Sequence, residues 1–434
     1  MKVTHFVFFA VLGFLSLRAD AQAIDGWKVE AANFDRKNYF GVTLGNGMIG
    51  LVSSAEPMKV KDVVLNGVYD YYQRGRVSNI LKSFNHVNLD LDVDGIRMSS
   101  NEVRNYRQSL DMKSATFETT FEVADKLSVK HTMMSLRHLP YCAMTVVEIK
   151  ATKDVVITPM SVIEAPDHLS DVRNLFSQVD RPHVTIPLLT SVAKSPSGKH
   201  TVAASNSIIF TEQHGQEPQV IHEDWDYNRH LMKFSKKLLA GETYSFTIVS
   251  SATSTAHFGD PMNEAERLTI FARLEGTQKL LQRHKEEWDK LWQSDIIVSG
   301  DPGVQRDIRF ALYNLYSFVR EGTGYSLSPM GLSGLGYNGH VFWDTELWMY
   351  PPLLMLQPQI ARSVWTTGLT GLRLRRKMQS LMDIREPCFR GSLPTKELRI
   401  PPYGPLPDHF SITSPAALDG RFGSIIKSRK TSNG

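Results

Sequence analysis

The spacing of apolar residues changes once along the chain, and that change limits what the chain can build. From about Asp25 to Phe258 apolar residues come in short or alternating runs, among them "HVNLDLDV", "SVKHTMMSL", "AMTVVEIKA", "TVAASNSIIF" and "TYSFTIVSSA". Period-two alternation turns one face of a strand inward. Turn signals separate the runs at Asp94-Gly95, Pro196-Ser197-Gly198 and Gly241. No helical pattern intervenes, which predicts a large antiparallel sandwich. From about Asn263 the spacing becomes three and four. "NEAERLTIFARLEGTQKLLQRHKEEWDKLWQS" reads as a helical linker, and "DPGVQRDIRFALYNLYSFVREG" opens a second helical region. There Asp301 is placed to cap the helix, with Pro302 at its first position.

The N-terminus, "MKVTHFVFFAVLGFLSLRADAQA", has the form of a secretory signal peptide. Lys2 supplies a positive region, Phe6 to Leu17 an apolar stretch too short for a bilayer, and two A-x-A sites follow. They predict a mature start at Gln22 or Ile24, and a secreted or periplasmic protein with no membrane attachment after cleavage. Hydrophobic residues make up 42% of the chain and charged residues 22%, enough apolar surface for a real core. Two cysteines exclude a disulfide framework, and Cys142 in its apolar run reads as a plain buried thiol. The net charge is +4, but from Val364 onward twelve Lys and Arg stand against five Asp and Glu. The excess basicity therefore belongs to the tail, and no basic patch marks a nucleic-acid partner.

Several motifs fail on their surroundings. "GNGMIG", Gly45 to Gly50, matches a dinucleotide loop, yet Pro57 and a strand-like run follow it where a helix is needed. A glycine-rich turn between strands accounts for it better. The 14 histidines form no H-E-x-x-H, so no metal site is expected. "GLSGL" is not a nucleophile elbow, because Leu335 stands where glycine is required.

One stretch remains, "GYNGHVFWDTELWMYPPLLML" at residues 336–356. Asp344 could cap a helix with the aromatics packed beneath it. Alternatively, an aromatic face beside a carboxylate suits a pyranose, whose C–H faces lie on rings and whose hydroxyls seek charged acceptors. Glycines at 334, 336 and 339 would let the backbone approach a ligand closely. This stretch and its approach, "EEWDKLWQSDIIVSGDPGVQRDIRFALYNLYS", together with "YFGVTLGNGMIGL" and "DVVLNGVYDYYQRGRVSNIL", resemble the family 65 glycoside hydrolases. That family holds hydrolases and phosphorylases of maltose, trehalose and kojibiose.

The resemblance implies a multidomain β plus α fold: an N-terminal antiparallel β-sandwich, a helical linker and the first helices of an incomplete (α/α)6 barrel. The expected divisions are a signal peptide at 1–23, the sandwich at 24–260, the linker at 261–297 and the barrel start at 298–363. It also implies an inverting mechanism without cofactor, a small α-glucoside as substrate, and a homodimer as an option for the full-length enzyme. Trp343 and Asp344 would line the pocket of the non-reducing glucose, with Phe342 and Glu346 beside them. The catalytic acid and base of the family lie farther downstream, so no catalytic residue is expected in this chain. A phosphorylase of the same family and a non-catalytic sugar-binding protein are the alternatives.

After Arg362 the resemblance is expected to stop. Residues 364–434 are rich in Pro and Arg and lack periodicity. Read across codon boundaries, Met382-Asp383 forces glycine, and the junctions from Met382 to Pro394 permit "GYKGAMFPWESA", which resembles a second sugar-site motif of the family. A frameshift near Val364 would explain this, and it predicts an inactive product. It also predicts that the faces bearing Phe310, Leu315, Trp348 and Leu353 are left uncovered.

Overall fold

A computed structural model describes residues 25–365, apart from 33–35, 73–76, 101 and 227. The expected signal peptide and the tail beyond 365 lie outside the described residues.

The β region forms three sheets in which every pairing is antiparallel. The largest has nine strands, with Leu127–Ser135, Cys142–Ala151 and Thr243–Ser254 at its middle. A second, six-stranded sheet centred on Asn85–Val93 and Val155–Glu164 packs against it. The strand Thr116–Val123 shows why alternation was readable. Phe117, Thr119, Phe121 and Val123 point into the core while the residues between them face outward. Thr243–Ser254 is instead buried along almost its whole length, because the second sheet covers one face and a helix the other. That helix satisfies buried hydroxyls of the sheet and is held to it in turn. Ser251 donates to the Ala265 carbonyl at 2.7 Å, and Thr269 reaches back to the Ser205 carbonyl at 3.0 Å.

That helix is α1, Pro261–Glu275, capped by Asp260, whose carboxylate accepts from Asn263 N–H at 3.1 Å. The expected single linker helix is in fact two. Gly276 stands at φ +78° and ψ 157°, which breaks the ladder, and α2 then runs from Thr277 to Trp292. Leu280, His284, Trp288, Leu291 and Trp292 form its buried stripe, at helical spacing. α3, Pro302–Phe318, begins as expected: Asp301 Oδ1 accepts from Gly303 N–H at 2.9 Å and Val304 N–H at 3.1 Å. Trp288 stacks on Tyr313 of α3 with centroids 5.4 Å apart, tying the bridge to the helical region.

The small third sheet, Thr43–Gly45, Ile49–Ser53, Val60–Tyr71 and Ser78–Lys82, joins the β region to the helices. "GNGMIG" is its first hairpin. Asn46 accepts from Met48 and Ile49 N–H, and Gly47 sits at φ +87°. The tip rests directly on the end of α3, with Gly47 N–H donating to the Ser317 carbonyl at 2.9 Å and the Tyr313 hydroxyl donating to the Thr43 carbonyl at 2.8 Å. The first glycines are there for chain-to-chain contact, with no helix behind them to receive a pyrophosphate.

The faces expected to lie open are mostly closed. Leu353 is fully buried in the main core, and Phe310 and Leu315 pack against it, half-buried. They belong to one continuous core with residues of the β-sandwich and α2, which periodicity within a segment does not reveal. Trp348 alone of the four is open, 68% exposed. Cys142 is fully buried, and burial pushes its thiol up to about 12.

Candidate functional site

The segment from Gly336 to Leu356 turns sharply and then widens into a helix. Tyr337 and Asn338 both adopt left-handed backbone, φ +53° and +58°, and Gly339 follows at φ +73°. Two non-glycine residues in succession there store strain, which folded chains keep where the surroundings fix it. The chain then winds in steps. Thr345 N–H bonds the Phe342 carbonyl, three residues back, and Leu347 N–H bonds Trp343, four back. Tyr350 N–H bonds Thr345, five back, making Thr345–Met349 a π-helical turn. α4, Tyr350–Leu356, continues from it, and the backbone is helical again over 358–365. Thr345 is buried, and its hydroxyl donates to the Leu327 carbonyl at 2.7 Å, pinning the turn from within.

This winding brings Phe342, Trp343, Asp344 and Glu346 onto one short turn. Phe342 is half-buried and meets Tyr337 edge to face at 5.3 Å. Trp343 is 42% exposed, a ring partly held and partly open. Asp344 does not cap the turn. Its own backbone is already helical, φ −54° and ψ −33°, and its side chain accepts no capping hydrogen bond. The carboxylate is therefore not consumed by structure among the described residues. Glu346 is held above the usual carboxylate range, by desolvation first and then by the neighbouring Asp344 charge. Since its residue surface is exposed, solvent screening keeps that effect small. Chemically the turn offers an aromatic face, a free carboxylate beside it, and a second carboxyl two residues on.

The glycines serve a different purpose from the one expected. A Cβ on Gly334 would lie 2.1 Å from the Met330 carbonyl oxygen, and one on Gly339 would lie 2.7 Å from Ile80 Cβ. They make room for the chain itself. Behind the turn a narrow cleft is lined by Asn66, Tyr69, Phe318, Leu327 and Gly339, and none of the four candidate residues faces it. The contributions of Tyr337, Asn338 and Thr345 went unread. Only "GYNG", two residues between glycines, carried a turn signal for them.

A layered antiparallel β-domain passes through a broken helical bridge into helices. A human-microbiome protein assigned as a kojibiose phosphorylase shares this fold, with a TM-score of 0.72 at 15% identity, over 86% of this chain and 52% of that one. The chain belongs to glycosyl hydrolase family 65: the family's N-terminal domain matches residues 40–291 and its central catalytic domain residues 309–377. The catalytic-domain match thus continues past Arg362, where the resemblance was expected to end. Among curated relatives, the kojibiose hydrolase of Mucilaginibacter mallensis is 53% identical over 343 residues, covering 79% of this chain and 51% of that protein. The kojibiose hydrolase of Flavobacterium johnsoniae is 50% identical over 340 residues, 78% of this chain and 50% of that protein. The chain spans about half the length of these relatives.

Proposed function

We propose that the enzyme this chain represents is an exported, inverting hydrolase of an α-linked glucose disaccharide, with kojibiose as the favoured substrate. The observation that carries the reading is the Trp343–Asp344 turn, an exposed ring beside a carboxylate that no cap consumes. A pyranose stacks its C–H face on the ring and gives its hydroxyl hydrogens to the carboxylate. Hydrolysis rather than phosphorolysis is supported by two relatives named kojibiose hydrolases at 53% and 50% identity over 79% and 78% of the chain, against 24% over 78% of it for a kojibiose phosphorylase.

In an inverting hydrolase one carboxyl protonates the leaving oxygen and another activates water, roughly 6.5–9.5 Å apart. We assign neither role to Asp344 or Glu346, which hold the glucose. Those two groups belong to a downstream stretch of the family. We read the tail of this chain as that stretch translated out of frame, starting after residue 377, where the catalytic-domain match ends.

The test uses the enzyme with the alternative frame restored between residues 377 and 382. Asp344→Asn keeps the shape and removes the charge, which costs about 1.5–3 kcal/mol of glucose recognition. Turnover of kojibiose falls while the melting temperature holds. A collapse in melting temperature with unchanged activity of the folded fraction would return Asp344 to a purely structural role.

A further inference from the structure

The strained turn before Trp343 is held from outside its own domain. The Tyr69 hydroxyl donates to the Gly339 carbonyl at 2.7 Å across 270 residues of sequence. His340 Nε2 donates to the Ser78 carbonyl at 2.5 Å, and the Tyr69 and His340 rings lie 5.9 Å apart. Tyr69 and Ser78 both sit on one hairpin of the small sheet, Val60–Tyr71 with Ser78–Lys82. Its register shifts between Val64 and Tyr69, with Gly67 at φ +82° in the irregular stretch. Such bulges re-aim the side chains that follow them, and here the next anchor is Tyr69. The hairpin is itself braced: the Tyr72 hydroxyl donates to the Ile80 carbonyl at 2.5 Å, and Asn79 Nδ2 to the Tyr72 carbonyl at 2.7 Å. Gly339 closes against Ile80 so tightly that no Cβ fits.

We infer that Tyr69 and His340 are positioning residues: they lock the left-handed turn Tyr337–Gly339 onto the β-domain hairpin, and so fix where Trp343 and Asp344 stand toward a sugar. The inference rests on the sugar-site reading for its consequence, but the lock itself does not. Recognition by a ring and a carboxylate tolerates displacements of only about half an ångström. Two left-handed residues will relax unless something outside the turn holds them. The β-domain is thereby part of the sugar-recognition machinery although none of its side chains is among the four candidate residues.

Two measurements separate the lock from its consequence. On the 434-residue chain, hydrogen exchange over residues 339–347 is compared for wild type, Tyr69→Phe, His340→Ala and His340→Gln. Losing one net hydrogen bond speeds exchange of the turn about three- to tenfold in the first two variants. His340→Gln retains an amide donor and restores most of the protection. Unchanged exchange in both Tyr69→Phe and His340→Ala would overturn the lock. In the frame-restored enzyme, the same two variants raise KM for kojibiose about three- to tenfold with little change in kcat or melting temperature. A lower melting temperature with unchanged KM would show that the anchors are merely structural and overturn the positioning role. If the wild-type restored enzyme cleaves no α-glucoside, the sugar-site reading fails, and the exchange data alone decide the lock.

Discussion

Replacing Gly47 with alanine tests how the β-domain is joined to the helices. Gly47 lies at φ +87°, and an added Cβ would stand 2.6 Å from the Val319 carbonyl carbon and 2.7 Å from the Arg320 nitrogen. These are backbone atoms, so no flexible side chain can yield. A left-handed alanine alone costs about 1–2 kcal/mol. Overpacking against a fixed neighbour adds about 1–3 kcal/mol, and the Gly47 N–H bond to Ser317 is worth about 1 kcal/mol if it breaks. Gly198 is the control, because it has φ +74° but nothing within 4 Å of its Cβ position. Gly198→Ala therefore carries the backbone cost alone. Urea titration of the 434-residue chain, followed by tryptophan fluorescence and by far-ultraviolet circular dichroism, should show Gly47→Ala less stable than Gly198→Ala by about 1–3 kcal/mol. Equal losses in the two variants would mean that the hairpin tip does not press on the end of α3, and the described junction would be wrong.

Two further outcomes follow from local structure. Asp301→Ala removes two capping bonds at the start of α3 and should cost about 0.5–2 kcal/mol by the same titration, whereas Asp301→Asn should lose little. The stability should also fall in mild acid. Burial pushes His86 and His284 down to about 4 and His131 to about 3, so the folded chain refuses protons that the unfolded chain accepts near 6.5. This stabilisation is complete above pH about 6.5 and is lost as the pH drops toward 4; a melting temperature that stays flat from pH 7 to 4.5 would contradict it.

The change of apolar period was enough to read the β-domain, because most strands bury one face and alternate visibly. Thr243–Ser254 is readable only as an apolar run, since a sheet and a helix cover it on both sides. The cap at Asp301 was legible because capping is local. The break at Gly276 was also in the sequence, but the helical spacing on both sides hid it. The glycines at 334, 336 and 339 were visible while their purpose was not. Met330 and Ile80 fill the space that a ligand was expected to use, and Ile80 comes from a strand more than two hundred residues away. The same distance hides Tyr69 and Ser78. Spacing within a segment reveals which residues share a turn, and only folding reveals what holds that turn.

The central claim is that this chain represents a hydrolase that recognises an α-glucoside through Trp343 and Asp344. It is tested most directly by giving kojibiose to the frame-restored enzyme in phosphate-free buffer and following the first glucose released by proton NMR. The account predicts that glucose appears without phosphate and that the half released from the non-reducing end is the β-anomer, so the first glucose is richer in β than the equilibrium mixture and mutarotates toward it. Release only when phosphate is added, with a sugar phosphate as product, or an initial excess of α-glucose over what the reducing-end glucose of kojibiose already supplies, would contradict it.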